Sequence, residues 1–347
     1  MGGPRVAVVG AGAWGTTLAR VVARVEPVTL LCHSAAAAAR IAETGRNETR
    51  LPGVDLPANV LATADPAAVL DATDLVIFAT PSAHLRVTVV AVAPHLAPEA
   101  DVLSVVKGLE PGTLLRMSQV IADASDVPIG RIAALSGPNL AAEVARNLPA
   151  SAVVAASDLA LAERVVARLA RRRFRLYVNE DILGVELCGA LKNIVAIAAG
   201  AADALGFGDN GKAGLLTRGL AEMTRLGIAA GANPLTFAGL AGMGDLIATA
   251  GSRLSRNHRL GEELAKGRTW AEIEATLPGT AEGAYTVQAA LALAERLGVE
   301  MPIAREVERA LFEGKSVKRC LVDLLARESK DELADYGRWM ARLEERP

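Results

Sequence analysis

Gly10-Ala11-Gly12-Ala13-Trp14-Gly15 stands directly after an apolar run over residues 5–9 and opens a helical pattern over 14–25. A G-x-G-x-x-G at the joint of a strand and a helix restricts this chain more than any other feature, because each glycine answers a separate steric demand. Gly10 permits the tight turn, Gly12 lets a pyrophosphate approach the backbone, and Gly15 lets the helix pack close to the strand. The amides at the helix start, around Ala13 and Trp14, then face the anion with the helix dipole behind them. The motif alone is weak evidence, since glycine also serves plain turns; its strand–turn–helix setting makes a dinucleotide site the expectation.

The pattern around the turn extends it into a domain. Apolar runs over 27–32, 75–79, 102–105 and 132–135 alternate with helical patterns over 35–43, 85–92 and 114–122, and runs over 152–155 and 174–178 finish the strand set. Continuous apolar strands alternating with helices belong to a parallel sheet covered on both faces. After about Asp181 strand signals stop, and helices are expected over 183–205, 212–230, 259–266, 282–297 and 303–313. The fold class predicted is α/β, with a Rossmann-like N-terminal domain (mostly parallel sheet, residues 1–180) followed by an all-α C-terminal domain over 181–347. A length of 347 residues is more than one core usually holds. The charge-rich stretch from Glu328 onward reads as a peripheral helix or a frayed end.

Composition enters mainly by exclusion. A net charge of −2 provides no basic excess for nucleic acid. The local run Arg171, Arg172, Arg173 and Arg175 reads as a solvated helix end before a strand. Cys32, Cys188 and Cys320 are far apart and odd in number, which argues against a disulfide framework or a zinc site and fits a reducing compartment. No signal-peptide pattern opens the chain. The longest apolar stretch, 187–205, carries Lys192, Asn193 and Asp203; it reads as too short and too polar to span a bilayer and as a buried core helix instead. A cytoplasmic protein without stable membrane association is the expectation.

Polar residues then stand where packing does not ask for them. The second strand ends at Leu31-Cys32-His33-Ser34, without the Asp or Glu that binds ribose hydroxyls in NAD-specific sites. His33, with Arg40, can accept a 2′-phosphate, or His33 is only a polar strand end; NADP(H) and NAD(H) both stay open. Lys107, in Val105-Val106-Lys107-Gly108, and Gly137 and Asn139, in Ser136-Gly137-Pro138-Asn139, follow strand ends, where ligands bind in open α/β sheets. Lys192 interrupts an apolar helix. Burial lowers a lysine pKa toward what a general base needs, although a structural lysine paired with a carboxylate fits as well; Asp245, in Gly242-Met243-Gly244-Asp245-Leu246, is the candidate partner. Ser255 or Asn257 can cap the next helix, while the planar fork of Arg256 suits a phosphate. Glu282 is either a helix N-terminal acid or a cofactor contact.

The glycine turn with Thr16-Thr17-Leu18-Ala19, then Lys107-Gly108-Leu109-Glu110, Ser136-Gly137-Pro138, Leu191-Lys192-Asn193, Gly244-Asp245-Leu246 and Ser255-Arg256-Asn257, occur in this order. Together they resemble the motif series of bacterial-type NAD(P)-dependent glycerol-3-phosphate dehydrogenases, from the first strand to Lys315. The resemblance implies an oxidoreductase interconverting dihydroxyacetone phosphate and sn-glycerol 3-phosphate, with Lys192 as proton acceptor or donor beside Asp245. It implies that Lys107, Asn193, Asp245, Ser255, Arg256 and Asn257 line the substrate site, joined by Gly137 and Asn139. Trp14, His33, Ala141 and Glu282 would lie near the dinucleotide, and Lys107 and Arg256 near both ligands. It also implies supply of glycerol 3-phosphate for phospholipid synthesis. The apolar helical domain suits a homodimer. Departures are Leu140 for a common aromatic, Thr17 for a common alanine, and His33 after the second strand. Two rivals remain at this level: a dehydrogenase of the same layout acting on a hydroxy acid, and a non-catalytic dinucleotide sensor.

Overall fold

The computed structural model describes residues 5–277, 279–328 and 331–332. Most of the charge-rich stretch after Glu328 therefore lies outside the described residues. Eight strands form one sheet in the order β3-β2-β1-β4-β5-β6-β7-β8. They are β1 (Val6–Val9), β2 (Val28–Leu31), β3 (Val60–Thr63), β4 (Leu75–Phe78), β5 (Asp101–Ser104), β6 (Ile132–Ser136), β7 (Ala150–Ala155) and β8 (Phe174–Asn179). The first six are parallel, and β7 runs antiparallel to β6. The order reverses between β1 and β4, the switch point beside which dinucleotides bind in such sheets.

Both faces of the central strands are buried, as continuous apolar strands require. Val6, Val8, Leu30, Ile77 and Leu103 pack under α1 (Ala13–Val22), α2 (Ala35–Thr44) and α6 (Leu159–Leu169). Ala7, Val9, Val76, Phe78 and Val102 pack under α3 (Leu85–Val92) and α4 (Met117–Ala124) on the other face. A short α5 (Ala141–Ala145) follows β6. Of the basic run, Arg171, Arg172 and Arg173 lie between α6 and β8 and Arg175 lies within β8, with Arg171 Nε donating to the Val21 carbonyl at 3.1 Å.

Several expectations shift, among them the start of the helix expected from 212, which lies at Gly208. β3 carries no strand signal in the sequence because Val60–Thr63 is an edge strand of partly exposed residues. The helix expected from 114 starts at Met117: Gly112 and Leu114 both have positive φ, which turns the chain before Arg116 and Gln119 form a capping box. The helix expected from 259 already begins at Arg256, because Ser255 caps it by accepting from the His258 amide at 3.2 Å.

Among the described residues from Asp181 onward, the regular elements are all helices. The helices are α7 (Ile182–Ala204), α8 (Gly208–Ala230), α9 (Pro234–Ala238), α10 (Asp245–Gly251), α11 (Arg256–Ala265), α12 (Trp270–Glu274), α13 (Glu282–Arg296), α14 (Pro302–Phe312) and α15 (Val317–Leu325). A π-helical turn over Leu240–Gly244 leads into α10. By length and composition α7 is able to cross a bilayer, contrary to the sequence reading, since the whole helix is 23 residues with a mean hydropathy of 1.7 in its most apolar window. That window is 89% buried inside the protein, against both the other helices and the sheet, so its hydrophobicity serves the core.

Glycines let neighbours reach the backbone of α7. A Cβ on Gly200 would lie 1.9 Å from the His258 carbonyl oxygen, and one on Gly261 would lie 1.9 Å from that of Ile197. A Cβ on Gly283 would lie 2.7 Å from the Asn193 carbonyl oxygen. Helices α11 and α13 therefore sit directly on α7, and this close crossing brings the polar residues of all three together.

Candidate active site

The glycine turn has the geometry its spacing predicts. Gly10 adopts φ +113°, and a Cβ there would sit 2.9 Å from the Ala79 carbonyl oxygen. A Cβ on Gly15 would sit 2.0 Å from the Gly10 carbonyl oxygen, so α1 can only lie this close to the turn with glycine. A Cβ on Gly12 would meet nothing nearer than the Ala79 carbonyl oxygen at 3.9 Å, which leaves the backbone open on that side. No side chain caps α1 and its first turn holds no acid, so the amides from Gly12 through Ala13 and Trp14 are left for an anion. These residues fit a dinucleotide pyrophosphate. Trp14 packs edge-on against Phe174 at 6.2 Å. Thr17 donates to the Ala141 carbonyl at 3.1 Å and ties α1 to α5, which accounts for a threonine there. His33 is exposed at the end of β2, and its ring meets the Ser34 hydroxyl at 3.5 Å.

Lys107, Lys192 and Asp245 come together. Asp245 Oδ1 lies 3.0 Å from Lys192 Nζ, and Oδ2 lies 2.5 Å from Lys107 Nζ. Lys107 follows β5 and also donates to the Gly137 carbonyl at 3.3 Å, so this carboxylate joins the two domains. The parallel strands β1 and β5 end on the same edge of the sheet, so Lys107 and the glycine turn share one rim. Lys192 also donates to Thr249 Oγ1 at 2.6 Å, and Thr249 donates to Asp245 Oδ1 at 3.1 Å.

Burial makes this centre electrostatically sharp. Lys192 is 5% exposed and Asp245 is 2% exposed. Desolvation pushes the Lys192 ammonium down to about 8; Asp245 opposes that shift, and Lys107 and Arg256 add to it. Desolvation also disfavours the ionised Asp245, but the charges of Lys107 and Lys192 outweigh it and hold the carboxyl below its ordinary range.

A second polar chain runs beside the first. Asn257 Nδ2 donates to Asn193 Oδ1 at 2.9 Å, and the Gly283 amide donates to Asn257 Oδ1 at 3.0 Å. Asn193 Nδ2 in turn donates to the Gly189 carbonyl at 3.2 Å. Arg256 remains accessible and lies against Gly279, where a Cβ would be 2.5 Å from Nη1. Both polar atoms of the Asn139 side chain, and Ser136 Oγ, are buried without a partner among the described residues. A buried amide left unpaired is costly, so this position suits a polar ligand.

Glu282 is a helix N-terminal acid that also bridges the two domains. It is the first residue of α13, and it also crosses to the sheet domain, where Ser82 donates through its hydroxyl and, at 3.4 Å, its amide. Burial raises its carboxyl above the ordinary range despite those bonds and the nearby Arg256. The sequence reading did not single out Ser82, Thr249 or Glu186. Thr249 had a signal, since it stands four residues after Asp245 on one helix face. Glu186 had only its place in an apolar helix: it accepts from the Ser118 amide at 2.7 Å and hydroxyl at 2.6 Å and pairs with Arg116, anchoring α7 to α4.

A dinucleotide turn and a buried lysine–carboxylate centre, on one sheet edge and joined by a helical second domain, define an NAD(P)-dependent oxidoreductase. Comparison with known proteins narrows the class. The family models for the N-terminus and C-terminus of NAD-dependent glycerol-3-phosphate dehydrogenase match residues 5–162 and 181–322. The chain belongs to that family. It is 47% identical over 329 residues to glycerol-3-phosphate dehydrogenase (NAD(P)+) of Streptomyces griseus, covering 94% of this chain and 98% of the relative. With the enzyme of the same name from Anaeromyxobacter dehalogenans it shares 44% over 331 residues, 95% of this chain and all of the relative. The crystal structure of glycerol-3-phosphate dehydrogenase from Coxiella burnetii superposes with a TM-score of 0.88 at 35% identity, covering 94% of this chain and 99% of that one.

Proposed function

We propose that this chain interconverts dihydroxyacetone phosphate and sn-glycerol 3-phosphate, with Lys192 as the general acid and base. The carrying observation is the Lys192 ammonium, buried between Asp245 and Thr249 with its pKa brought to about 8. A group that titrates there has both protonation states within reach near neutral pH, as acid–base catalysis requires.

A nicotinamide dinucleotide held at the glycine turn would supply or accept the hydride. In reduction, Lys192 gives its proton to the C2 carbonyl oxygen as the hydride reaches that carbon, and regains a proton from solvent afterwards. In oxidation, neutral Lys192 takes the hydroxyl proton. Asp245 stays ionised and holds Nζ in place. Lys107, on the other oxygen of Asp245, adds positive charge where the carbonyl oxygen becomes negative. Arg256 holds the phosphate, with Asn139, Gly137, Ser255, Asn193 and Asn257 shaping the remainder of the substrate site. Gly10, Gly12, Ala13, Trp14 and Gly15 receive the pyrophosphate side of the cofactor, with His33, Lys107, Ala141, Arg256 and Glu282 around it.

Residues 1–180 act as the nucleotide domain and 181–347 as the substrate and catalytic domain. The protein works in the cytoplasm as a homodimer, without stable membrane association, and supplies glycerol 3-phosphate for phospholipid synthesis. Loss of nicotinamide absorbance with dihydroxyacetone phosphate, but not with unphosphorylated dihydroxyacetone or a 2-oxo acid, is the expected result. Comparable turnover of the oxo acid would overturn the substrate assignment. The absence of an acidic residue in Cys32-His33-Ser34 favours NADPH, and the same assay run with both cofactors ranks them.

A further inference from the structure

Asn47 lies outside every motif above, yet its side chain reaches into the glycine turn. Its Nδ2 donates to the Ala11 carbonyl at 2.9 Å and to Thr16 Oγ1 at 2.8 Å. Asn47 is 8% exposed and Thr16 is fully buried, so neither bond is a surface contact. The segment that carries Asn47 is itself braced. The Asn47 carbonyl accepts from the amides of Arg50 at 3.1 Å and Leu51 at 2.8 Å, and the Leu56 amide donates to Gly45 at 2.8 Å. Arg20 of α1 donates to the Asp55 carbonyl at 2.9 Å, and Leu51 and Val54 are buried together with Ala145.

We infer that Asn47 is a positioning residue for the cofactor: it fixes the Ala11–Gly12 peptide so that the Gly12 amide points at the pyrophosphate. A trans peptide is planar, and its carbonyl and N–H point in opposite directions. Holding the Ala11 oxygen against Asn47 therefore aims the Gly12 N–H away from Asn47. The glycines on either side of Ala11 leave the peptide planes here little restricted, so an outside donor removes freedom the ligand would otherwise have to remove. The second bond, to Thr16 in the first turn of α1, holds turn and helix start in one frame. This role rests on the dinucleotide reading above.

The test is titration of NADH and NADPH by nicotinamide fluorescence, with steady-state kinetics, on Asn47→Ala and Asn47→Asp. The aspartate keeps the shape but offers no donor and sets a carboxylate against the Ala11 oxygen. Asn47→Ala should raise the cofactor Kd and KM roughly tenfold, the weight of about one hydrogen bond, and Asn47→Asp should raise them further. The kcat at saturating cofactor and the KM for dihydroxyacetone phosphate should move far less. Thr16→Val, which spares the Ala11 bond, should shift Kd less than Asn47→Ala does. A merely structural Asn47 would lower the thermal midpoint and leave Kd unchanged well below it, and that result overturns the proposal. If Asn47→Ala does not fold, Asn47→Asp carries the same comparison. Wild-type protein that bound neither dinucleotide would sink the dinucleotide reading itself, whereas tight binding by wild type and variants alike would sink only the role of Asn47.

Discussion

In the sheet domain the groups proposed to meet a ligand are, Lys107 and Asn139 apart, largely backbone: the amides after Gly10, the open side of Gly12 and the turn at Gly137, all beyond strand ends. In the helical domain they are side chains set in a dry core, with Lys192 and Asp245 each at most 5% exposed. Backbone donors are prepared by local sterics, and any chain with the right glycines at a strand–helix joint can make them. A buried ammonium exists only where a carboxylate and hydrogen-bond partners meet it, because an isolated one would lose its proton or unfold its surroundings. The sheet half should therefore govern mainly cofactor affinity and the helical half mainly turnover.

Lys192→Ala tests that division most severely. It should cut kcat by about a thousandfold, within the span that a positioned general acid contributes, while NADH still binds at wild-type affinity. Turnover near wild type would remove the distinction altogether.

Asp245→Asn should cost about a hundredfold in kcat, since it leaves Lys107 and Lys192 without their shared anion. It also sharpens the pH behaviour. With Lys192 near 8, the reductive rate, which needs the charged form, should fall as pH rises through about 8, and the oxidative rate should rise over the same interval. Asp245 raises the Lys192 pKa, so its removal should move both limbs toward acid. Profiles that do not move would mean another group sets them.

Gly15→Ala probes the other half. Its Cβ would meet the Gly10 carbonyl oxygen at 2.0 Å, so the turn must shift. Overpacking of this kind costs roughly 1–3 kcal/mol, and the cofactor KM should rise by about tenfold or more with a smaller change in kcat. A loss confined to kcat would blur the two halves. The smallest expected effect is that of Thr249→Val, which removes one hydrogen bond at Lys192. A fall in kcat of up to about tenfold with unchanged cofactor affinity is the expected reading.

The two domains also differ in how far the sequence discloses them. Strands β1, β4, β5 and β6 were readable because both of their faces are buried and the run is therefore apolar throughout. β3 was not, because an edge strand of Val-Leu-Ala-Thr with one open side carries no such run. Nothing in the periodicity of residues 150–155 states that β7 runs against β6, since a strand reads the same in either direction. The short elements between 234 and 251 were missed for a related reason. Their form depends on contact: a Cβ on Gly242 would strike the Phe237 carbonyl oxygen at 2.1 Å, and that approach shapes the π-helical turn before Asp245.

Short-range sterics and apolar periodicity are properties of neighbouring residues, so the glycine turn, the strand–helix alternation and the odd lysine in an apolar helix could all be read along the chain. Pairing is different. Lys107 and Asp245 are 138 residues apart, and Asn47 and Ala11 are 36 apart. Asp245 could be named along the chain as a partner for Lys192, but that Lys107 shares it, and which amide steadies the turn, depends on how the helices cross over the sheet. A hydrogen bond or ion pair acts over a few ångströms of space and has no fixed separation in sequence, so those contacts emerged only once the chain was folded.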